Sequence, residues 1–219
     1  MKKTPIYFMP GLAAGPEIFE NLEFNVDKYE LHYLKWIKPL AAEESIANYA
    51  MRLCEEVKSE NPVLVGVSFG GIMVQEMSKF IKTKKVIIIS SVKQNSELPK
   101  KFQLAKFTKV YKFFPTKVVS NFEDYARYFL GKSLKKRAKI YKKYLSVRSK
   151  TYLNWSIAQV VNWQQDKALE NLIHIHGTKD HVFPIKNISD CIEIKGGSHV
   201  MILTKAKKIS KLIDDVLTF

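Results

Sequence analysis

The sequence has little cysteine, little glycine or proline, no long apolar run and, over one long stretch, almost no acid. Its two cysteines, Cys54 and Cys191, are far apart and match no metal-ligand spacing, so neither a disulfide scaffold nor a zinc site is indicated and the expected compartment is reducing. No segment approaches the roughly 18 to 20 apolar residues that cross a bilayer, which excludes a spanning chain. With 9 Gly and 8 Pro in 219 residues and 46% hydrophobic content, collagen, low complexity and disorder are excluded as well. The length fits one or two domains with an enzyme-sized core. Near the start, Lys2-Lys3, Ile6 to Met9 and Ala13-Ala14-Gly15 faintly imitate a signal peptide, but Pro10-Gly11 breaks the apolar part, so the expected location is cytoplasmic.

The shortage of acid is local. Between Lys93 and Lys150 there are 17 Lys+Arg against 3 Asp+Glu, whereas the rest of the chain carries 19 against 18. Nearly all of the formal +15 therefore sits in one internal segment, and a concentrated charge speaks of a surface and a partner rather than of solubility. Lys135, Lys136, Arg137, Lys139, Lys142 and Lys143 fall within nine positions with no acid beside them in sequence. Such a face suits an anionic partner: an acidic carrier protein, an anionic membrane surface or an anionic substrate. Nucleic acid is disfavoured because no recognition motif accompanies the charge.

What is present is an alternation of strand-like and helix-like patterns. Pro5 to Met9, Leu31 to Trp36, Pro62 to Val67, Lys85 to Ser90, Asn171 to Ile175 and Cys191 to Lys195 read as strands, several of them β-branched runs of the kind buried on both faces. Ser45 to Ser59, capped by Ser45, and Phe69 to Ile81 have helical periodicity, and Val200 to Phe219 reads as a closing helix. Alternation of this kind predicts right-handed βαβ crossovers and an α/β sheet. From about Lys93 to Gln165 the strand signal disappears. Helical stripes run through Leu104, Phe107, Tyr111 and Phe114; through Val118, Phe122, Tyr125 and Phe129; through Leu134, Ala138, Tyr141 and Leu145; and through Leu153, Ile157 and Val160. The expected organisation is a core of residues 1–91 and 166–219 with an all-helical insertion at 92–165.

Gly66-Val67-Ser68-Phe69-Gly70 is a G-x-S-x-G that follows a predicted strand and opens a predicted helix, the strand–turn–helix setting of a nucleophile elbow. A dinucleotide fingerprint is absent, since no G-x-G-x-x-G occurs. A serine hydroxyl needs a base, and the base an orienting carboxylate. His174-Ile175-His176-Gly177-Thr178-Lys179-Asp180 places Asp180 just past one strand, and Gly196-Gly197-Ser198-His199 places His199 just past the next. Ser68, Asp180 and His199 thus follow one another at carboxyl ends of parallel strands, where open α/β sheets build their sites. His181 abuts the acid, His176 reads as part of the turn and His174 as strand interior. No carboxylate follows Lys85 to Ser90 before Glu97.

On the elbow around Ser68, the HGTKD segment and the GGSH segment, the chain resembles the α/β-hydrolase superfamily over nearly its whole length. The resemblance implies a sheet of about six mostly parallel strands flanked by helices, with the helical insertion placed where that family carries a lid. It also implies an oxyanion hole from the backbone N–H groups of Phe69 and Leu12, although many members have His-Gly where this chain has Pro10-Gly11. The implied activity is that of a serine hydrolase acting on a small or medium carboxylic ester or thioester through an acyl-serine, with no metal or organic cofactor. A lyase or acyltransferase on the same frame, and a non-catalytic polyanion-binding protein using the basic helices, are the alternatives. Phe107, Tyr111, Phe122 and Tyr125 of the insertion are the candidate pocket residues.

Overall fold

The computed structural model describes residues 2–108 and 143–218. Six strands, β1 (Thr4–Met9), β2 (Tyr29–Tyr33), β3 (Val63–Val67), β4 (Lys85–Ile89), β5 (Leu172–Gly177) and β6 (Ile192–Ile194), form one sheet in the order β2-β1-β3-β4-β5-β6. All five pairings are parallel. The chain runs outward from β1 to β2, then crosses to β3 on the other side of β1. The loops leaving β1 and β3 therefore splay to opposite faces and open a crevice at the carboxyl ends, the switch point of a doubly wound sheet.

Helices α1 (Ile46–Cys54), α2 (Phe69–Met77), α3 (Lys100–Thr108), α4 (Lys150–Asn162), α5 (Met201–Thr204) and α6 (Ala206–Thr218) are described. The strand residues alternate between two cores, as the two-residue period of a strand requires. Leu64, Val86 and Ile88 join α1, α2 and α4 on one face. Val63, Val65, Val67, Ile87 and Ile89 join α5 and α6 on the other. Helix α2 is buried at every position, since it lies on the sheet and is covered in turn by α1 and α4. Helix α6 buries only Ala206, Ile209, Ser210 and Ile213, so it carries a single apolar stripe, as a surface helix does. Ser45 caps α1 as expected, its Oγ accepting from the Asn48 N–H at 3.1 Å.

Several boundaries differ from the sequence reading, among them α2, which ends at Met77 rather than Ile81, and β5, which runs on to Gly177. Strand β2 ends at Tyr33; Leu34 still donates its N–H to the Phe8 carbonyl at 2.9 Å, and Trp36 is buried in the loop beyond it. Helix α1 stops at Cys54 rather than reaching Ser59. The closing helix is two, because Lys205 breaks it with φ −130° and ψ 24°. Helices α3 and α4 fall within the expected 92–165 insertion, between β4 and β5. The helical stripe through Val118 to Phe129, most of the Leu134 to Leu145 stripe and the cationic positions from Lys135 to Lys142 lie outside the described residues. Lys143 does find an acid, donating to Glu20 Oε1 and Oε2 at 2.5 and 2.6 Å. That partner comes from 123 residues away in sequence. Among the described residues, no helix is long and apolar enough to cross a membrane.

Candidate active site

Ser68 sits at the corner between β3 and α2 with φ 54° and ψ −120°, a conformation that costs a residue with a Cβ about 1–3 kcal/mol. The surroundings hold it there. Its N–H donates to the Ile89 carbonyl at 2.9 Å, and its own carbonyl accepts from Gly71 N–H at 2.9 Å and Ser91 Oγ at 2.7 Å. The glycines are needed for contact as well as conformation. A Cβ on Gly66 would lie 2.2 Å from the Gly70 carbonyl oxygen, and one on Gly70 would lie 2.4 Å from both the Met9 and Pro10 carbonyl oxygens. The turn thus packs against the loop after β1, which brings residues 9–12 alongside Ser68.

The loops after β5 and β6 are joined to each other. Thr178 N–H donates to Ile194 O at 3.1 Å, Lys179 N–H to Gly197 O at 2.8 Å, and Gly196 N–H to Thr178 Oγ1 at 2.8 Å. Gly177 has no room for a side chain, because a Cβ there would meet the Gly197 carbonyl oxygen at 2.4 Å. Gly196 takes φ +72°, the left-handed conformation glycine adopts without strain. This lacing sets the spacing of the two functional side chains. His199 Nδ1 lies 2.9 Å from Asp180 Oδ2, and His199 Nε2 lies 2.9 Å from Ser68 Oγ. One unbroken line of hydrogen bonds therefore runs from three loops that are 131 residues apart at the extremes.

Asp180 is 4% exposed. Burial pushes its carboxyl upward, yet the charge and hydrogen bond of His199 and the Phe183 amide outweigh this and leave it below the usual carboxylate value. Oδ1 accepts from the Val182 and Phe183 N–H groups at 2.8 and 2.9 Å, which leaves Oδ2 to His199. His176, also fully buried, lies behind it. Its Nε2 is 2.8 Å from the Phe183 carbonyl, which can only accept, so Nε2 carries the proton and Nδ1 accepts from His174 Nε2 at 3.0 Å. Its Nε2 stands 3.6 Å from Asp180 Oδ2, too long for a second full hydrogen bond. Burial lowers the basicity of both rings, His174 to about 3. His181, by contrast, is exposed.

Beside Ser68 and His199 opens an apolar cavity. Its described lining contains no charged side chain and includes Leu12, Ile18, Phe102, Leu145, Ile157 and Phe183. Tyr144 also reaches it, with its hydroxyl turned to Glu20 Oε1 at 2.6 Å. The expectation for Phe107 is corrected: it is 87% exposed and does not line the cavity. On α3 it is Phe102 that turns inward and packs on Phe183, with ring centroids 6.0 Å apart. The other three pocket candidates, Tyr111, Phe122 and Tyr125, lie outside the described residues. Phe183 was missed, although an aromatic three residues past the acid was a readable signal. Leu12 and Phe69 both border the cavity next to Ser68. Among the described residues, no group of three or more His, Cys, Asp and Glu side chains is placed to hold a metal ion.

No protein-family model matches the sequence, and no curated protein does. Solved structures match over essentially the whole chain. The bromoperoxidase from Bacillus anthracis superposes with a TM-score of 0.73 at 17% identity, covering 100% of this chain and 93% of that one. A carboxylesterase from the thaumarchaeon Nitrososphaera gargenis gives 0.67 at 14%, covering 99% and 90%. The enol-lactonase from Burkholderia xenovorans LB400 gives 0.69 at 11%, covering 100% and 93%. At these identities the likeness is one of fold, and the fold is that of the α/β hydrolases.

Proposed function

We propose that this protein is a serine hydrolase that cleaves a small or medium carboxylic ester or thioester through an acyl-serine intermediate. The observation that carries the reading is the hydrogen-bonded line Ser68–His199–Asp180 ending at an apolar cavity. That the structural neighbours include a carboxylesterase and an enol-lactonase is in keeping with it.

In this reading His199 Nε2 takes the Ser68 proton as Oγ attacks the acyl carbon, then returns it to the departing alcohol or thiol; water repeats the cycle to release the acid. Asp180 holds the Nδ1–H tautomer of His199 and balances the imidazolium charge, and His199 together with the Phe183 N–H keeps its carboxyl low despite burial. The Leu12 and Phe69 amides receive the oxyanion. The hydrocarbon lining selects for an uncharged acyl or alcohol group, because a carboxylate or ammonium placed there would be desolvated without a partner. The described parts of the 92–165 insertion contribute Phe102, Tyr144, Leu145, Ile157 and Val160 to this cavity, which supports reading the insertion as a lid.

Incubation with a fluorophosphonate, followed by peptide mapping and a panel of 4-nitrophenyl esters of increasing acyl length, tests the proposal. Labelling of Ser68 together with ester turnover is the expected result. An unlabelled Ser68 with no turnover on any ester would overturn it.

A further inference from the structure

Trp36 lies outside the sheet, in the loop that follows β2, and is 8% exposed. Its indole N–H donates to the Gly11 carbonyl at 2.9 Å. Gly11 O and Leu12 N–H belong to one peptide group, and among the described residues no peptide bond is cis. In a trans peptide these two groups point in opposite directions. The same carbonyl also accepts from the Ala14 N–H at 3.0 Å, and anchoring it to both donors turns the Leu12 N–H the other way. Gly11 is close to the nucleophile, since a Cβ there would lie 3.5 Å from Ser68 Cβ, and Leu12 lines the same cavity as Ser68 and His199. Among the described residues the Leu12 N–H has no hydrogen-bond acceptor. The same indole ring is stacked on Phe69, with centroids 5.0 Å apart and planes at 11°. One side chain thus touches both segments whose amides face the reacting carbonyl.

We infer that Trp36 is a positioning residue of the oxyanion hole: its N–H locks the Gly11–Leu12 peptide with the amide toward Ser68, and its ring fixes the start of α2. This rests on the reading of Ser68 as nucleophile. Pro10 has no N–H of its own to help hold the loop. Within the loop the Ala14 N–H holds the Gly11 carbonyl, and the Trp36 bond adds a side-chain anchor from outside it.

The test uses Trp36→Phe, which keeps an aromatic ring against Phe69 but removes the N–H donor and part of the indole, with Trp155→Phe, which makes the same two losses, as its control. Trp155 is also buried in this aromatic cluster, packs edge-on against Phe69 with centroids 6.0 Å apart and donates its N–H to a backbone carbonyl, but that carbonyl belongs to Glu44, at 2.7 Å, and not to the loop after β1. Both variants lose a buried hydrogen bond and should melt at lower temperature than the parent. Removing an oxyanion donor outright costs about 10²–10³ in kcat, so releasing one from its anchor should cost Trp36→Phe about 10- to 100-fold in kcat with KM changed little. The second-order rate of fluorophosphonate labelling should fall by a similar factor, because displacement of fluoride by Ser68 Oγ develops negative charge on the phosphoryl oxygen. Trp155→Phe should keep the parent's kcat and labelling rate at temperatures where it is folded. A second measurement needs no variant: in the parent, the Leu12 amide proton should move downfield when Ser68 is phosphonylated.

If Ser68 of the parent is labelled but Trp36→Phe is labelled at the parent's rate, the inference fails and the nucleophile reading stands. If the parent's Ser68 is not labelled, the nucleophile reading fails first. Should Trp36→Phe not fold, a Leu12 amide unmoved by phosphonylation would overturn the inference on its own.

Discussion

Two buried carboxylates occupy comparable places in this fold and have opposite surroundings. Asp180 follows β5 and Glu97 follows β4, and both are nearly inaccessible, at 4% and 1% exposure. Asp180 spends one oxygen on two amides of its own turn and leaves the other for an imidazole from a different loop. Glu97 has both oxygens engaged: Oε2 accepts from the Lys93 N–H at 2.8 Å, and Oε1 takes the Ser189 N–H and hydroxyl and lies 3.8 Å from the Lys93 ammonium. Lys93 in turn donates to the Ser189 and Asp190 carbonyls, which ties the segment after β4 to the loop before β6. Burial alone therefore does not mark the acid of the proposed reading. What separates the two is an oxygen left over for a group that can shuttle a proton.

The contrast breaks most sharply at the group both acids would ultimately have to serve. Ser68→Ala should lower ester turnover by about 10⁴-fold or more while leaving the melting temperature close to the parent's, since the hydroxyl is the attacking atom and Ala keeps the corner's volume. Initial rates and a thermal melt on the same preparation check both halves. Asp180→Asn should lose about 10³ to 10⁴ in kcat, because an amide NH₂ facing Nδ1 favours the wrong imidazole tautomer. Glu97→Gln should leave kcat/KM within about threefold and instead destabilise the fold by about 1–3 kcal/mol, read by urea titration, because Lys93 and Ser189 lose their anionic partner in a buried place. A Glu97→Gln enzyme as inactive as Asp180→Asn would reverse the assignment of the acid.

Acid titration gives the smallest and most graded test. Asp180 ionises below its ordinary 3.8, so it supports the fold at neutral pH and that support is lost only as pH falls below this value. Glu97 is displaced the other way: burial raises it above 4.5, so the native state takes its proton more readily than the unfolded chain and falling pH does not penalise the fold through it. His174 acts earlier than either. It stays neutral in the fold down to about 3, whereas an unfolded histidine protonates near 6.5, so stability should start to decline as pH drops through 6.5 and continue to fall toward 3. His174→Leu should flatten the melting-temperature curve between about pH 6 and 4. An identical slope in parent and variant would show that the ring does not titrate differently on unfolding.

The six strands, the parallel sheet and the three loop residues Ser68, Asp180 and His199 were readable because each rests on a short-range rule. β-branched runs demand burial on both faces, and a serine between glycines at a strand–helix corner has few other reasons to be there. Local rules failed where a side chain answers to something distant in sequence. Trp36 imitated a strand residue because a buried aromatic in a loop has the same hydropathy as one in a ladder; its partners are Gly11 and Phe69. Phe107 imitated a pocket residue because helical spacing records which face is apolar and not what that face meets.

Chain order and patterning were thus enough to establish where the strands end, and so which loops converge at the crevice. They could not say that His176 stands behind Asp180 or that Glu97 is already saturated. Nor could they show that an indole 25 residues away holds the Gly11 carbonyl. Those depend on distances of a few ångströms between segments tens to more than a hundred residues apart. Hydrogen bonds and ring stacking fall off over such distances, while the hydrophobic pattern that builds the sheet hardly registers them.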